Sequence, residues 1–162
     1  MTEQRKGSEF MSFLDSMNIS ASALTATRVR MDTIAENLSN INVTRTAGGE
    51  PYRRKYVVYQ EITAPNTNRR FATHFMRARD RIRHPSAGGV RVYEIGEDQS
   101  PFKLDYDPAH PDADIDGYVR KPNVEVVQEM VDMMSAYRTY EANITALNAF
   151  KDMAVKTLEL GK

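Results

Sequence analysis

From Val124 to Leu160 no proline interrupts the chain, and apolar side chains return every three or four residues: Met130, Met133, Tyr137, Tyr140, Ile144, Leu147, Ala154 and Leu158. That spacing lays one stripe of heptad type along an α-helix. Lys151 alone breaks it, and Phe150 stands beside it to fill the gap. Asn123 is placed to cap the N-terminus, Glu125 suits the positive end of the helix dipole, and Gly161 suits the stop. At ~1.5 Å per residue the helix is roughly 55 Å long, more than a small domain can cover. Its stripe needs a second long helix, and the other end of the chain supplies one.

That second stripe runs Met17, Ser20, Leu24, Thr27, Met31, Ile34, Leu38, Ile41, spaced three and four throughout, with Ser20 and Thr27 as polar interruptions. Ala21, Ala23, Ala26 and Ala35 favour helix and are small enough for a close approach by another helix. Alone the helix is marginal in water; against the C-terminal stripe both bury a face. Asparagines between Asn37 and Asn42 suit a left-handed C-cap, and Gly48, Gly49 and Pro51 bar continuation.

The middle reads as strands and loops. Tyr56-Val57-Val58-Tyr59 is β-rich, Val90 to Ile95 alternates faces, and Phe102, Leu104 and Tyr106 alternate with Lys103 and Asp105 as a half-buried strand does. The expected class is mainly α with a β-rich insert, long N- and C-terminal helices paired as a coiled-coil-like stalk and a small β domain between them. The divisions are 1–10, an expression-vector scar (Gly7-Ser8-Glu9-Phe10 ahead of Met11) or a disordered tail; 11–43, the N-terminal helix; 44–122, the insert; and 123–162, the C-terminal helix.

Composition narrows the function. The 22 cationic and 22 acidic residues cancel, so bulk charge makes no case for nucleic acid or an anionic membrane. There is no cysteine for a disulfide or thiol chemistry. No apolar run approaches the ~20 residues that span a bilayer, and no signal-peptide core follows Met1.

Local motifs offer little chemistry. Arg77, Arg79, Arg81 and Arg83 alternate, which on a strand gives one basic face, either solvated or matched to the acidic stretch Glu97 to Asp116, within the chain or between copies. Asp112, Asp114, Asp116 and Gly117 match the first half of a calcium loop, but Asn123 stands where a closing glutamate belongs. The competing reading is an acidic turn whose aspartates cap backbone N–H groups, with Gly117 at positive φ. His74, His84 and His110 lack metal-ligand spacing; His110 with the aspartates is the one conceivable hydrolytic grouping. No catalytic motif, cofactor site or metal site is expected.

The run Ser22 to Asn42, ending Asn37-Leu38-Ser39-Asn40-Ile41-Asn42, resembles the N-terminal N-[LI]-[AS]-N-x-[NT] motif of bacterial flagellar rod and hook axial proteins. The runs Pro122 to Asn143, Tyr106 to Asp114 and Asp116 to Val119 are similar to the same family; Thr63 to Ser86 matches weakly. The resemblance implies a non-enzymatic structural subunit of the proximal rod, polymerising helically into a torque-transmitting shaft. It implies partners among its own copies, other proximal and distal rod proteins, basal-body ring and export-gate components, and the flagellar type III export apparatus, which would carry it to the periplasmic rod without a cleaved signal. Neither nucleic acid nor membrane insertion is implied. Another axial protein, or a soluble calcium-binding coiled-coil adaptor, is the competing reading. The helix-pair and subunit interface is expected at Leu24, Met31, Ile34, Leu38, Ile41, Met130, Met133, Tyr137, Tyr140, Ile144, Leu147 and Leu158, with Asn37 and Asn40 added from the asparagine motif.

Overall fold

The computed structural model describes residues 2–62 and 88–160. The elements run α1 (Thr2–Ser39), β1 (Lys55–Glu61), β2 (Val90–Glu97), β3 (Lys103–Tyr106), β4 (Tyr118–Lys121) and α2 (Val126–Leu160). The class expected from the sequence is the class observed: a long helix at each end and a small β region between. The arginine row and its neighbours His74 and His84 lie outside the described residues. Among the described residues no helix is long and apolar enough to cross a membrane.

α1 reaches back through residues 2–10, which carry no stripe of their own. At its C-terminus Asn40 Nδ2 donates to the Glu36 carbonyl (2.8 Å), and Ser39 Oγ donates to the Ala35 carbonyl (2.5 Å). These are back-bonds to carbonyls one turn earlier, and the Glu36 carbonyl also accepts the Asn40 N–H (3.1 Å). α2 starts at Val126, later than the capping pattern predicts. Asn123 is not its cap: Asn123 Oδ1 accepts the Arg54 N–H (2.8 Å), and Nδ2 donates to the Asp98 carbonyl (3.1 Å).

The chain divides into two compact units. The first gathers the described parts of Met1–Ala26, Tyr59–Arg91 and Thr139–Lys162. Within it Ser20 and Ala26 of α1 are buried, and Tyr140, Ile144, Leu147, Phe150 and Ala154 of α2 are half-buried while Lys151 is exposed. Gly89, at φ +119°, brings its backbone against Ser22, whose Oγ would stand 2.6 Å from an added Cβ; Ser22 Oγ accepts the Val90 N–H (3.1 Å). Only glycine reaches that backbone region without strain.

The second unit is Thr27–Val58 with Val92–Arg138. Here Asn37 reaches Glu129, and Arg30 reaches Asp132. Rising numbers on α1 therefore meet falling numbers on α2, and the helices run antiparallel. Thr27, Thr33, Ile34 and Asn37 face inward from α1, and Glu129 and Ala136 from α2.

Strands β1 and β2 form one two-stranded sheet, and β3 and β4 the other. β3 and β4 are antiparallel, with Leu104 opposite Arg120, Asp105 opposite Val119 and Tyr106 opposite Tyr118. The half-buried alternation expected for β3 is absent: all four of its residues are exposed. Leu104 and Tyr106, expected half-buried, are 67% and 64% exposed. On the other face of the ribbon Val119 is buried, 1% exposed, beside the exposed Lys121–Asp105 ion pair and the exposed Lys103, which donates to the Val124 carbonyl (2.9 Å) and Glu125 (2.6 Å). The lysine heads meet exposed carboxylates, so these ion pairs lie at the surface.

Candidate functional site

The most constrained part of the second unit is polar. Asn37 is 0% exposed. Its Nδ2 donates to the Lys55 carbonyl (2.9 Å) and to Glu129 Oε2 (3.1 Å), while Oδ1 accepts from the Lys55 N–H and the Tyr52 hydroxyl (both 2.9 Å). A carboxamide has two N–H donors and two acceptor lone pairs, so its full capacity is used. Both backbone groups of Lys55 are met, and Asn37 does for the first residue of β1 what a neighbouring strand would do.

Glu129 is likewise 0% exposed. Arg54 Nε donates to its Oε1 at 2.5 Å, and Arg54 Nη2 lies 3.6 Å from Asp132, which also accepts from Arg30 Nη2 at 3.3 Å. Lys55 Nζ meets Glu36 at 2.5 Å. A carboxylate taken wholly out of water costs several kcal/mol, and only well-aligned charged and neutral donors offset that cost. Such a network is satisfied in one alignment of α1, α2 and β1. A helical slip by one turn would strand Glu129.

Tyr52, buried under this cluster, has its hydroxyl pKa pushed up to about 12, first by burial and then by the carboxylates of Glu36, Glu129 and Glu97. The folded state therefore holds its proton where the unfolded chain, near 10, has released it. Stability from this group is intact below pH 10 and falls between pH 10 and 12. A titration followed at the tyrosinate absorbance should show a late component that a Tyr52→Phe variant lacks, and the thermal midpoint of the second unit should drop across the same window; the variant should lose that extra drop.

The aspartate loop behaves as a turn. Gly117 adopts φ +79°, Asp114 Oδ1 accepts the Ile115 N–H (2.7 Å), and Asp112 accepts from Thr44 Oγ1 (2.8 Å) and stands 3.8 Å from Arg45. His110 Nδ1 accepts the Asp112 N–H (3.1 Å) and is thereby engaged locally. Among the described residues no group of three or more His, Asp or Glu side chains is placed to hold a metal ion.

Of the expected interface residues, Ile34 and Asn37 are buried. Leu24, Met31, Leu38, Asn40, Ile41, Met133, Tyr140, Ile144 and Leu147 are half-buried. Met130, Tyr137 and Leu158 are 56%, 60% and 74% exposed. In the second unit the inward line of α2 runs through Glu129, Met133 and Ala136, one residue back from the expected Met130, Met133 and Tyr137. Val127, Met130, Val131, Met134 and Tyr137 form a separate outward apolar stripe. Glu129, the hub's other half, carries no signal in an apolar-periodicity reading, because a carboxylate in a heptad is scored as surface.

The family model described as "Flagella basal body rod protein" matches residues 17–45, and that described as "Flagellar basal body rod FlgEFG protein C-terminal" matches 115–160. The chain is 47% identical over 156 residues to the flagellar basal-body rod protein FlgC of Bacillus subtilis (strain 168), covering 94% of this chain and 100% of that one. It belongs to the FlgC family of flagellar basal-body rod proteins. FlgC of Borreliella burgdorferi is 44% identical over 148 residues (88% of this chain, 93% of that one), and FlgC of Escherichia coli O6:H1 42% over 152 (94% and 100%). The two matched segments contain the two ends of the buried bond: Asn37 lies in the first and Glu129 in the second. In this FlgC-family chain the asparagine motif thus has a physical task, since its first asparagine ties α1 to α2 and to the start of β1.

Proposed function

We propose that the chain is a non-catalytic structural subunit of the flagellar proximal rod, joining copies of itself and neighbouring rod proteins into the shaft that transmits torque. The observation that carries this reading beyond family membership is the outward stripe of α2. Five large apolar side chains, Val127, Met130, Val131, Met134 and Tyr137, are 49–68% exposed along one helical face. Contiguous exposed apolar surface of this kind marks an interaction site. Another helix laid along it buries a seam spaced as a heptad seam is. The interface expected from sequence is then shared: Ile34, Leu38, Met133 and their like serve within the chain, and Met130 and Tyr137 serve between chains. The reading includes residence in the periplasmic part of the basal body after export through the flagellar type III apparatus, and takes 11–43 with 123–162 as the inner helical domain and 44–122 as the insert.

The direct test is to fuse a small epitope to the chain and examine purified basal bodies by negative-stain microscopy with a labelled antibody. Label on the rod below the outer rings is the expected result. Basal bodies that carry a complete rod without the label would sink the proposal.

A further inference from the structure

We propose that the outward stripe of α2 is covered by the outward face of α1 from a second copy of this chain, the two helices running antiparallel. The inference rests on the rod reading and names the partner that reading leaves open. Along the part of α1 in the second unit the exposed residues are Arg28, Asp32, Ala35 and Ser39, spaced four, three and four. That spacing keeps them on one line of the helix, turned away from the buried Thr33, Ile34 and Asn37. Toward Ser39 the line is low. Ala35 presents only a methyl group, and the Ser39 hydroxyl already donates to the Ala35 carbonyl (2.5 Å), so covering it leaves no donor unmet. Large apolar side chains of another helix seat against such a surface as ridges seat in grooves.

Charge decides the occupant, the direction and the register. Asp32 is exposed on this line, and Arg138 is exposed directly after Tyr137 at the end of the α2 stripe. Among the described residues neither has an ion-pair partner. Set opposite each other on antiparallel helices, they bring Met134 level with Ala35 and Val131 level with Ser39, since each step back along α2 is matched by a like step forward along α1. The large side chains then face the small ones. A parallel arrangement with the same ion pair would set Met134 against Arg28 and leave Ala35 and Ser39 facing nothing apolar in the stripe. Two α2 stripes paired with each other, centred between Val131 and Met134, would set Arg138 beside Val127 and leave Asp32 unmatched as well. Of these arrangements, antiparallel α1 on α2 alone both pairs the charges and covers the stripe. One copy carries both halves of this contact on different surfaces. It is therefore head-to-tail, and it propagates from copy to copy instead of closing a two-fold dimer.

The absence of native cysteine gives a clean test. Two single-cysteine chains, Ser39→Cys and Val131→Cys, each with its own tag, are produced in one strain, and its purified basal bodies are oxidised mildly. The expected product is a disulfide dimer bearing both tags, joined between 39 and 131 by mass spectrometry. Ser39→Cys with Tyr93→Cys, exposed on β2, should give none. Adding Arg138→Asp to the Val131→Cys chain sets two aspartates face to face and should cut the dimer more than about tenfold. Adding Asp32→Arg to the Ser39→Cys chain should bring it back. Tags in basal bodies with no 39–131 dimer overturn this inference and leave the rod reading standing. So does a dimer of two Val131→Cys chains, or a link from 131 to a different rod protein. A tagged chain without cysteine that stays out of basal bodies overturns the rod reading along with it. Should only the cysteine chains stay out, charge reversal decides: Asp32→Arg combined with Arg138→Asp should swim where each single reversal does not, and a double variant no better than the singles overturns the inference.

Discussion

Glu129→Ala is expected to cost the second unit about 3–5 kcal/mol, the range for removing one partner of a buried charged pair. The loss is large because the variant strands what the carboxylate held. Arg54 Nε and one N–H of Asn37 keep their positions with no acceptor. At roughly 4–8 °C per kcal/mol for a unit of this size, the thermal midpoint should fall by more than about 10 °C. Glu129→Gln should lie between, since its amide still offers an oxygen to Arg54 without the charge. Asn37→Asp should be nearly as damaging as the alanine change: it removes both donors and sets a second carboxylate 3.1 Å from the first. Circular dichroism melts of the four proteins decide the matter. Midpoints within about 2 °C of one another, a shift of well under 1 kcal/mol, would mean that the network is ornamental.

The second large effect is expected in assembly, with folding spared. Tyr137 is 60% exposed in the single chain, so Tyr137→Asp should change its stability by less than about 0.5 kcal/mol, as exposed substitutions usually do. In an interchain seam the same aspartate would be an unpaired buried charge, costing several kcal/mol per contact. Each 1.4 kcal/mol is about tenfold in occupancy, so the chain should vanish from basal bodies and swimming should stop. Tyr137→Phe should be incorporated normally. A Tyr137→Asp strain with a swarm of ordinary diameter would remove the outward stripe from the interface. The contrast with Ile34→Asp is informative, because Ile34 is 5% exposed and that variant should fail already as a monomer.

These expectations also show why the heptad reading stopped one residue short. On a helix, neighbouring residues are about 100° apart, and α2 is apolar on two sides. Met130, Met133 and Tyr137 make as regular a series as Glu129, Met133 and Ala136. Hydrophobicity favours the first series; the structure buries the second because a small alanine admits close approach and Glu129 has Asn37 and Arg54 waiting. The ribbon erred in the same direction. Alternation at Leu104 and Tyr106 is legible, but all of β3 is exposed and the residue the ribbon buries is Val119 of β4. β4 was hidden by the calcium-loop resemblance around Val119, a residue that proves to be almost wholly buried in a strand.

By itself, the sequence determined the two long helices, the position and approximate extent of the β insert, the turn at Gly117 and, through its asparagine motif, the family. Each of these follows from local spacing or from a backbone demand that one residue type meets. Only the tertiary structure decided which side of each helix is inside, that Asn37 and Glu129 bond across 92 positions, and that the ribbon buries Val119 while Leu104 and Tyr106 stand exposed. The reason is physical: burial of a charge or exposure of an aromatic is a property of the groups brought alongside it, and those come from parts of the chain that no local pattern connects.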